Sequence, residues 1–314
     1  MVARPILLRS IAGSAVMAAL AVGCAELIGA GFDGAHATDD ASAAPITEAS
    51  IDLDAFEPTI DGSGDEHEDE SFDAMAPGNL VFWVAADRGV AAGSLPEGGD
   101  GAASFAAAWN DLSGKAHDLG QAFLAKQPLL VQGARNGLPA VRFERSRSTC
   151  YGSTWLGRLD GKGATAFYVA KGEPISLLRL QGPAPTYLVF PWNARWAEPD
   201  AAPDPTFLIA TNAETSRVRL SFEPDKWTIA SARVELGKIG GMQVWQNGKL
   251  AESSSVIGDA MPDPEGFQVG CGPGQLSEFA NADVGEILLY SAVLTDKERS
   301  AVEHYLARKW NIDL

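Results

Sequence analysis

The chain has 314 residues, 46% of them hydrophobic, and a formal charge of −17 from 41 acidic and 24 basic side chains. That length and apolar content support one large domain or two small ones. So acidic a balance disfavours nucleic acid as a partner, because phosphate backbones recruit basic surfaces.

The acidity is not spread evenly. Residues 25–76 hold 15 of the acidic residues and no Lys or Arg, and residues 1–24 carry only Arg4 and Arg9, so the remainder has 26 acids against 22 bases and a charge near −4. A charged segment therefore precedes a nearly neutral globular part.

Residues 1–24 contain an apolar run from Ile11 to Val22 that ends in Ala21-Val22-Gly23-Cys24. The run is too short to span a bilayer comfortably and has the layout of an export signal. Its last four residues resemble a bacterial lipobox, which implies that Cys24 is acylated after cleavage. Ala21 departs from the larger aliphatic residue usual there, and an ordinary signal peptide with an incidental Cys24 is the other reading. By the same resemblance, Ala25 after the lipid points to the outer membrane.

Residues 25–76 combine acids with Ala, Gly, Ser and Pro and have too few large apolar groups to offset the entropy of ordering, so an acidic disordered tether is expected. The run Glu66-His67-Glu68-Asp69-Glu70 lacks EF-hand spacing and reads as self-repelling linker. The folded domain, residues 77–314, is expected to open on the dense apolar strand Leu80 to Asp87. Trp109-Asn110-Asp111 then enters a turn at Ser113-Gly114. Asp111 suits a turn cap there. As a Ca²⁺ ligand it would supply one carboxylate toward a site that needs about six to eight oxygens.

From Gln127 onward short β-forming runs follow one another: Pro128–Val131, Ala140–Phe143, Thr165–Ala170, Ile175–Leu180, Thr186–Phe190, Thr206–Thr211, Arg217–Phe222, Trp227–Glu235, Met242–Trp245, Phe267–Gly270 and Gly285–Tyr290. The lack of amphipathic helices between them argues against a βαβ architecture. Asn247-Gly248 is the preferred type I′ hairpin turn. Thr295 and Glu298 form a capping box that opens a helix with Val302, Tyr305, Leu306 and Trp310 on its apolar face. Glu298, Arg299, Glu303, Arg308 and Lys309 are expected to stay wet, and His304 to be partly buried beside the core positions.

The strand and helix at the chain end, with Trp109-Asn110-Asp111-Leu112-Ser113-Gly114 and Asn136-Gly137-Leu138-Pro139-Ala140-Val141-Arg142-Phe143, resemble the concanavalin A-like lectin/glucanase superfamily in its laminin G-like form. The Trp245-Gln246-Asn247-Gly248 hairpin fits the same pattern. The resemblance covers roughly residues 78–313 and implies an all-β, two-sheet jelly-roll sandwich with a short C-terminal α-helix. It also implies a cell-surface habitat, and it makes Ca²⁺ at Asp111 a candidate cofactor.

Catalytic patterns are missing from the sequence. The glycoside hydrolases of the superfamily carry Glu-x-Asp-x-x-Glu on one strand, and no such run exists here. Glu235, Glu265 and Glu286 read as strand-end or solvent-face carboxylates. No HExxH, His-x-His or Gly-x-Ser-x-Gly occurs. A hydrolase with a degenerate site is the alternative reading, and a purely structural envelope protein is a third.

Recognition has one positive signal. Phe190 to Asp200 places Trp192, Asn193, Arg195 and Trp196 in a Pro-bounded loop, and aromatic faces with nearby amides and a guanidinium suit stacking on sugar rings. Tyr151 and Trp155 make a second such loop. Both sets either cover the open edge of the core or form a ligand platform. The expected role is a non-catalytic module binding glycan or another surface protein, with the membrane reached only through the N-terminal lipid. Setting Cys24 aside leaves Cys150 and Cys271, an even pair in an exported chain, for which a disulfide is expected.

Overall fold

The computed structural model describes residues 79–93, 103–153, 159, 162–174, 176–181, 187–193, 205–211, 214–220, 223–255, 266–272 and 279–314. The chain separates into a unit of residues 1–69 and a unit of residues 70–314. All described residues belong to the second, so the expected signal segment, Cys24 and the tether lie outside them.

The architecture is all-β with one C-terminal helix, as the succession of short β-forming runs predicts. One layer is built on β17 (Asn281–Tyr290), flanked along its length by β1 (Leu80–Ala85) and β6 (Leu138–Phe143) on one side and by β8 (Gly163–Glu173) on the other. From β8 it runs outward through β13 (Thr228–Glu235), β14 (Met242–Gln246) and β15 (Lys249–Ser254). The second layer runs β2 (Val90–Gly93), β3 (Ala103–Trp109), β4 (Leu119–Gly120), β7 (Tyr151–Ser153), β16 (Gly266–Val269), β9 (Leu178–Gln181), β10 (Tyr187–Asn193), β11 (Pro205–Thr211) and β12 (Glu214–Arg219). β5 (Leu129–Arg135) pairs with β6 and with β3, so hydrogen bonding continues from one layer into the other. Every pairing is antiparallel.

The alternation of side chains along each strand decides what lies between the layers. On β8, Ala164, Ala166, Tyr168 and Ala170 enter the core between the sheets, whereas Phe167 and Val169 point to the opposite face. Aromatic pairs join the two layers: Phe82 meets Phe267 edge-on at 4.5 Å, and Tyr168 lies 4.9 Å from Phe190. Both Asn-Gly pairs are tight hairpin turns with positive φ at each residue, Asn136-Gly137 joining β5 to β6 and Asn247-Gly248 joining β14 to β15.

Helix α1 (Asp296–Trp310) opens with the predicted capping box, Thr295 and Glu298 each accepting from the other's backbone. It seats Val302, Leu306 and Trp310 on Leu80, Trp83, Phe167, Ile229 and Leu288, on the outer face of the first layer. Gly285 makes this fit possible, since a Cβ there would lie 2.6 Å from the Trp310 ring.

Two expectations for this region are corrected. Arg299 and Glu303 are 8% and 2% exposed rather than wet. They pair with each other, the Arg299 guanidinium lies 4.2 Å over Trp245, and Glu303 accepts from Ser231 on β13. Helical spacing defined a stripe too narrow to include them. His304 is exposed instead of partly buried.

β2, β4 and β7 are strands absent from the sequence expectation. They are short and rich in Ala and Gly, so they carry little intrinsic β-preference and exist because neighbouring strands supply the ladder.

Candidate functional site

The second layer turns one face to the core and the other outward. On its central strands Leu119, Tyr151, Phe267, Val269, Leu178 and Leu180 are core residues. The alternate positions therefore face away. Register aligns Ala108 with Gly120, Gly120 with Gly152, Gly152 with Gln268 and Gln268 with Arg179 in one row across five strands. Gly120 and Gly152 are exposed, and among the described residues no atom comes within 4 Å of where a Cβ would stand on either. The middle of the sheet is thus a bare backbone floor. At one side of it Gln268 holds Oε1 out of solvent with no hydrogen-bond partner among the described residues, next to the buried Arg179.

β10 carries two of the predicted site residues at its end. A bulge after Val189 shifts the pairing so that Trp192 stands opposite Thr206 and Asn193 opposite Pro205. This end of β10 passes beyond Leu178, where β9 begins. Arg195, Trp196 and Trp155 lie outside the described residues. β7 leaves the sheet at Ser153, beside Phe267, whereas β10 leaves past Phe190 at the opposite end of β9. The two loops expected to form platforms therefore depart from opposite ends of the layer.

Tyr151 is corrected. It is a strand residue with no exposed surface, packed edge-on against Phe143 at 5.8 Å, and its hydroxyl donates to the Ala106 carbonyl. Burial holds its phenol far above the ordinary tyrosine range. It has no ring face to offer a ligand, because the strand alternation turns it inward. The neighbouring Cys150 forms the expected disulfide with Cys271, their Cα atoms 5.5 Å apart across a sequence separation of 121. The bridge ties the start of β7 to the end of β16, directly beside the glycine row.

Asp111 acts as the turn cap. Its carboxylate accepts from the backbone NH groups of Trp83, Ser113 and His117 and from the Ser113 hydroxyl. Among the described residues there is no group of three or more His, Cys, Asp or Glu placed to hold a metal.

Glu286 corrects the expectation of a solvent-face carboxylate. It is fully buried and accepts from the indole NH groups of Trp83 and Trp310 at 2.7 and 2.9 Å and from the Tyr305 hydroxyl at 3.1 Å. Lys309 completes the ring at 2.9 Å. All these partners come from β1 and α1, so Glu286 locks helix to sheet. Burial, aided by Glu286, raises the Tyr305 phenol above its ordinary range. Local pattern could not reveal this site, since Trp83 lies 203 residues away in sequence.

The sequence reading also missed an apolar turn. Phe123 and Leu124 are 61% and 53% exposed just after the glycine of β4, where their residue types alone suggested burial.

Together these features define a two-layer antiparallel β protein whose one described helix is clamped to the outside and whose opposite sheet presents an open, glycine-floored face. No protein-family model matches the chain, and no curated protein matches it in sequence. Among solved structures the chain is similar to the binding domain of Paraclostridial Mosquitocidal Protein 1, with 10% identity and a TM-score of 0.49 over 73% of this chain and 52% of that one. It is also similar to domain 4 of an extracellular arabinanase from Geobacillus stearothermophilus, solved in complex with arabinotriose, with 11% identity and a TM-score of 0.41 over 72% of this chain and 98% of that one. A Trypanosoma rangeli sialidase in complex with sialic acid matches with 15% identity and a TM-score of 0.42 over 75% of this chain and 34% of that one. The chain thus spans about half the length of the mosquitocidal binding domain. At these identities and TM-scores the likeness assigns no ligand.

Proposed function

We propose that this protein is a non-catalytic, cell-surface recognition module of the concanavalin A-like, laminin G-like type, binding glycan through the outer face of its second layer. The observation that carries the reading is the exposed glycine floor at Gly120 and Gly152 in a layer whose strand β10 also brings Trp192 and Asn193 to the sheet end. A flat backbone surface admits a sugar ring closely. The sequence from Trp192 to Trp196 contains aromatic, amide and guanidinium groups of the kind that recognise sugars.

In this reading the chain is exported and anchored to the cell envelope, at the outer membrane, by lipid on Cys24, with residues 25–76 as spacer. Recognition rather than turnover is supported by the best-buried carboxylates, Glu286 and Glu303, being engaged in structural hydrogen bonds under α1, on the other side of the molecule from the glycine floor.

The test is retention on a glycan array by the full chain and by Gly152→Val and Trp192→Ala variants. The reading predicts that wild type is retained on a subset of glycans and that each variant weakens this by about tenfold. Equal retention of all three, or retention of none, would contradict it.

A further inference from the structure

The turn Ala122–Ala125 has no part in the binding reading, yet it is built for contact. Ala122, Phe123, Leu124 and Ala125 are all exposed, four consecutive apolar residues that run into the 3-10 segment Leu124–Lys126. Scattered exposed apolar residues need no explanation, and Ile239 and Leu250 are of that kind. A continuous run at a projecting turn does need one.

Its backbone is the second observation. The carbonyl of Phe123 accepts from Lys126 NH, that of Leu124 from Gln127 NH, and that of Lys126 from Cys150 NH. Arg147 donates to the carbonyls of Ala125 and Gln127, and the Gln127 amide donates to the carbonyl of Gln121. The Gln121 amide oxygen in turn accepts from Phe123 NH. Most loops leave such groups to water. Here the carbonyls of Phe123, Leu124 and Ala125 and the NH of Phe123 are satisfied from behind, which lowers the cost of bringing the turn to a medium poor in hydrogen bonds.

The third observation is charge. Of the bases near the turn in sequence, Arg142 pairs with Asp283 and Arg135 donates to the Trp310 and Asn311 carbonyls at the end of α1, whereas Lys126 and Arg147 stand beside the turn itself. At the foot of the turn Arg147 pairs with Glu144 and Arg145 with Glu173, so those charges are partly offset. Lys126 has no ion pair among the described residues, and its ammonium lies 6.0 Å from the Phe123 ring centre. A lysine whose stem lines an apolar tip while its charge stays at the base is placed to snorkel toward anionic headgroups.

We propose that Ala122–Ala125 is a membrane-contact tip, with Phe123 and Leu124 entering the interface of an anionic phospholipid bilayer and Lys126 meeting the headgroups. This gives the domain a membrane contact of its own, beyond the N-terminal lipid. The contact is weak and reversible, since two partly exposed side chains and one cation supply it.

The test is hydrogen–deuterium exchange on the full chain carrying Cys24→Ser, with vesicles of phosphatidylcholine and phosphatidylglycerol, with vesicles of phosphatidylcholine alone, and without vesicles. The inference predicts slowed exchange at residues 122–125 with anionic vesicles, whatever happens near the N-terminus. The double variant Phe123→Ser/Leu124→Ser should lose that protection and lower vesicle partitioning by about tenfold. Lys126→Glu should weaken binding to anionic vesicles while leaving the neutral ones unaffected. Because the replaced side chains are exposed, thermal midpoints should stay within about 2 °C of wild type. Unchanged exchange at 122–125 in wild type with anionic vesicles would overturn the proposal, including the case where only a protein partner protects them.

Discussion

Glu286 is the residue on which the helix-to-sheet junction turns. A buried carboxylate is costly unless fully compensated, and here two indoles, a phenol and an ammonium converge on it. Replacing it with Ala removes the shared acceptor of both indole NH groups and leaves Lys309 to Asp87, so Glu286→Ala is expected to cost about 3 kcal/mol or more, read as a shift in the urea midpoint. A change of less than about 1 kcal/mol would mean that water already serves these donors. At the other end of the helix, Glu298 is exposed and its pKa lies below the ordinary value of 4.5, first because of the Thr295 side chain and then because of the Thr295 backbone NH. A depressed carboxylate contributes stability that is present above its ordinary pKa and lost as pH falls through the folded value. Carboxyl NMR titration should therefore give Glu298 a midpoint below that of a free glutamate, returning toward it in Thr295→Val. Identical midpoints in the two proteins would show that the cap does not hold the charge.

Among the elements, β7 is the least self-sufficient and the most informative. It has three residues, one of them glycine, and pairs with β4 through Gly152 alone and with β16 through three positions. The Cys150–Cys271 bridge fixes this ladder at one end, closing a loop whose stabilisation is about 5 kcal/mol in the chain-entropy model. Cys150→Ser/Cys271→Ser should accordingly lower the urea unfolding free energy by about 2 to 5 kcal/mol, while non-reducing mass spectrometry of wild type finds no free thiol at either position. Two free thiols in the exported protein would refute the bridge. Much of this level was legible beforehand. Apolar strand runs, the Asn247-Gly248 turn, the capping box and the pairing of two remaining cysteines are local signals or simple counts. What was not legible is long-range: that Tyr151 points inward depends on which strands flank β7, and that Arg299 and Glu303 are buried depends on Ser231 and Trp245 standing opposite them. The glycine floor was invisible for a related reason, because Gly120 and Gly152 are neighbours only through register.

On the scale of the whole molecule, the chain separates its charge from its fold. Fifteen acids without a base fill residues 25–76, whereas the sequence beyond them is near neutral. The proposed lipidation at Cys24 predicts that membrane fractionation finds wild type in the membrane fraction and Cys24→Ser released. Equal release of both would remove the anchor. The central claim, recognition without turnover through the open face, is tested most directly by equilibrium titration of the full chain with the polysaccharides selected from an array, followed by chromatography of the recovered polymer. The account predicts saturable binding, weakened by Gly152→Val, with the polymer returned at its original length; saturable binding accompanied by shortened products, or no binding to any glycan, would contradict it.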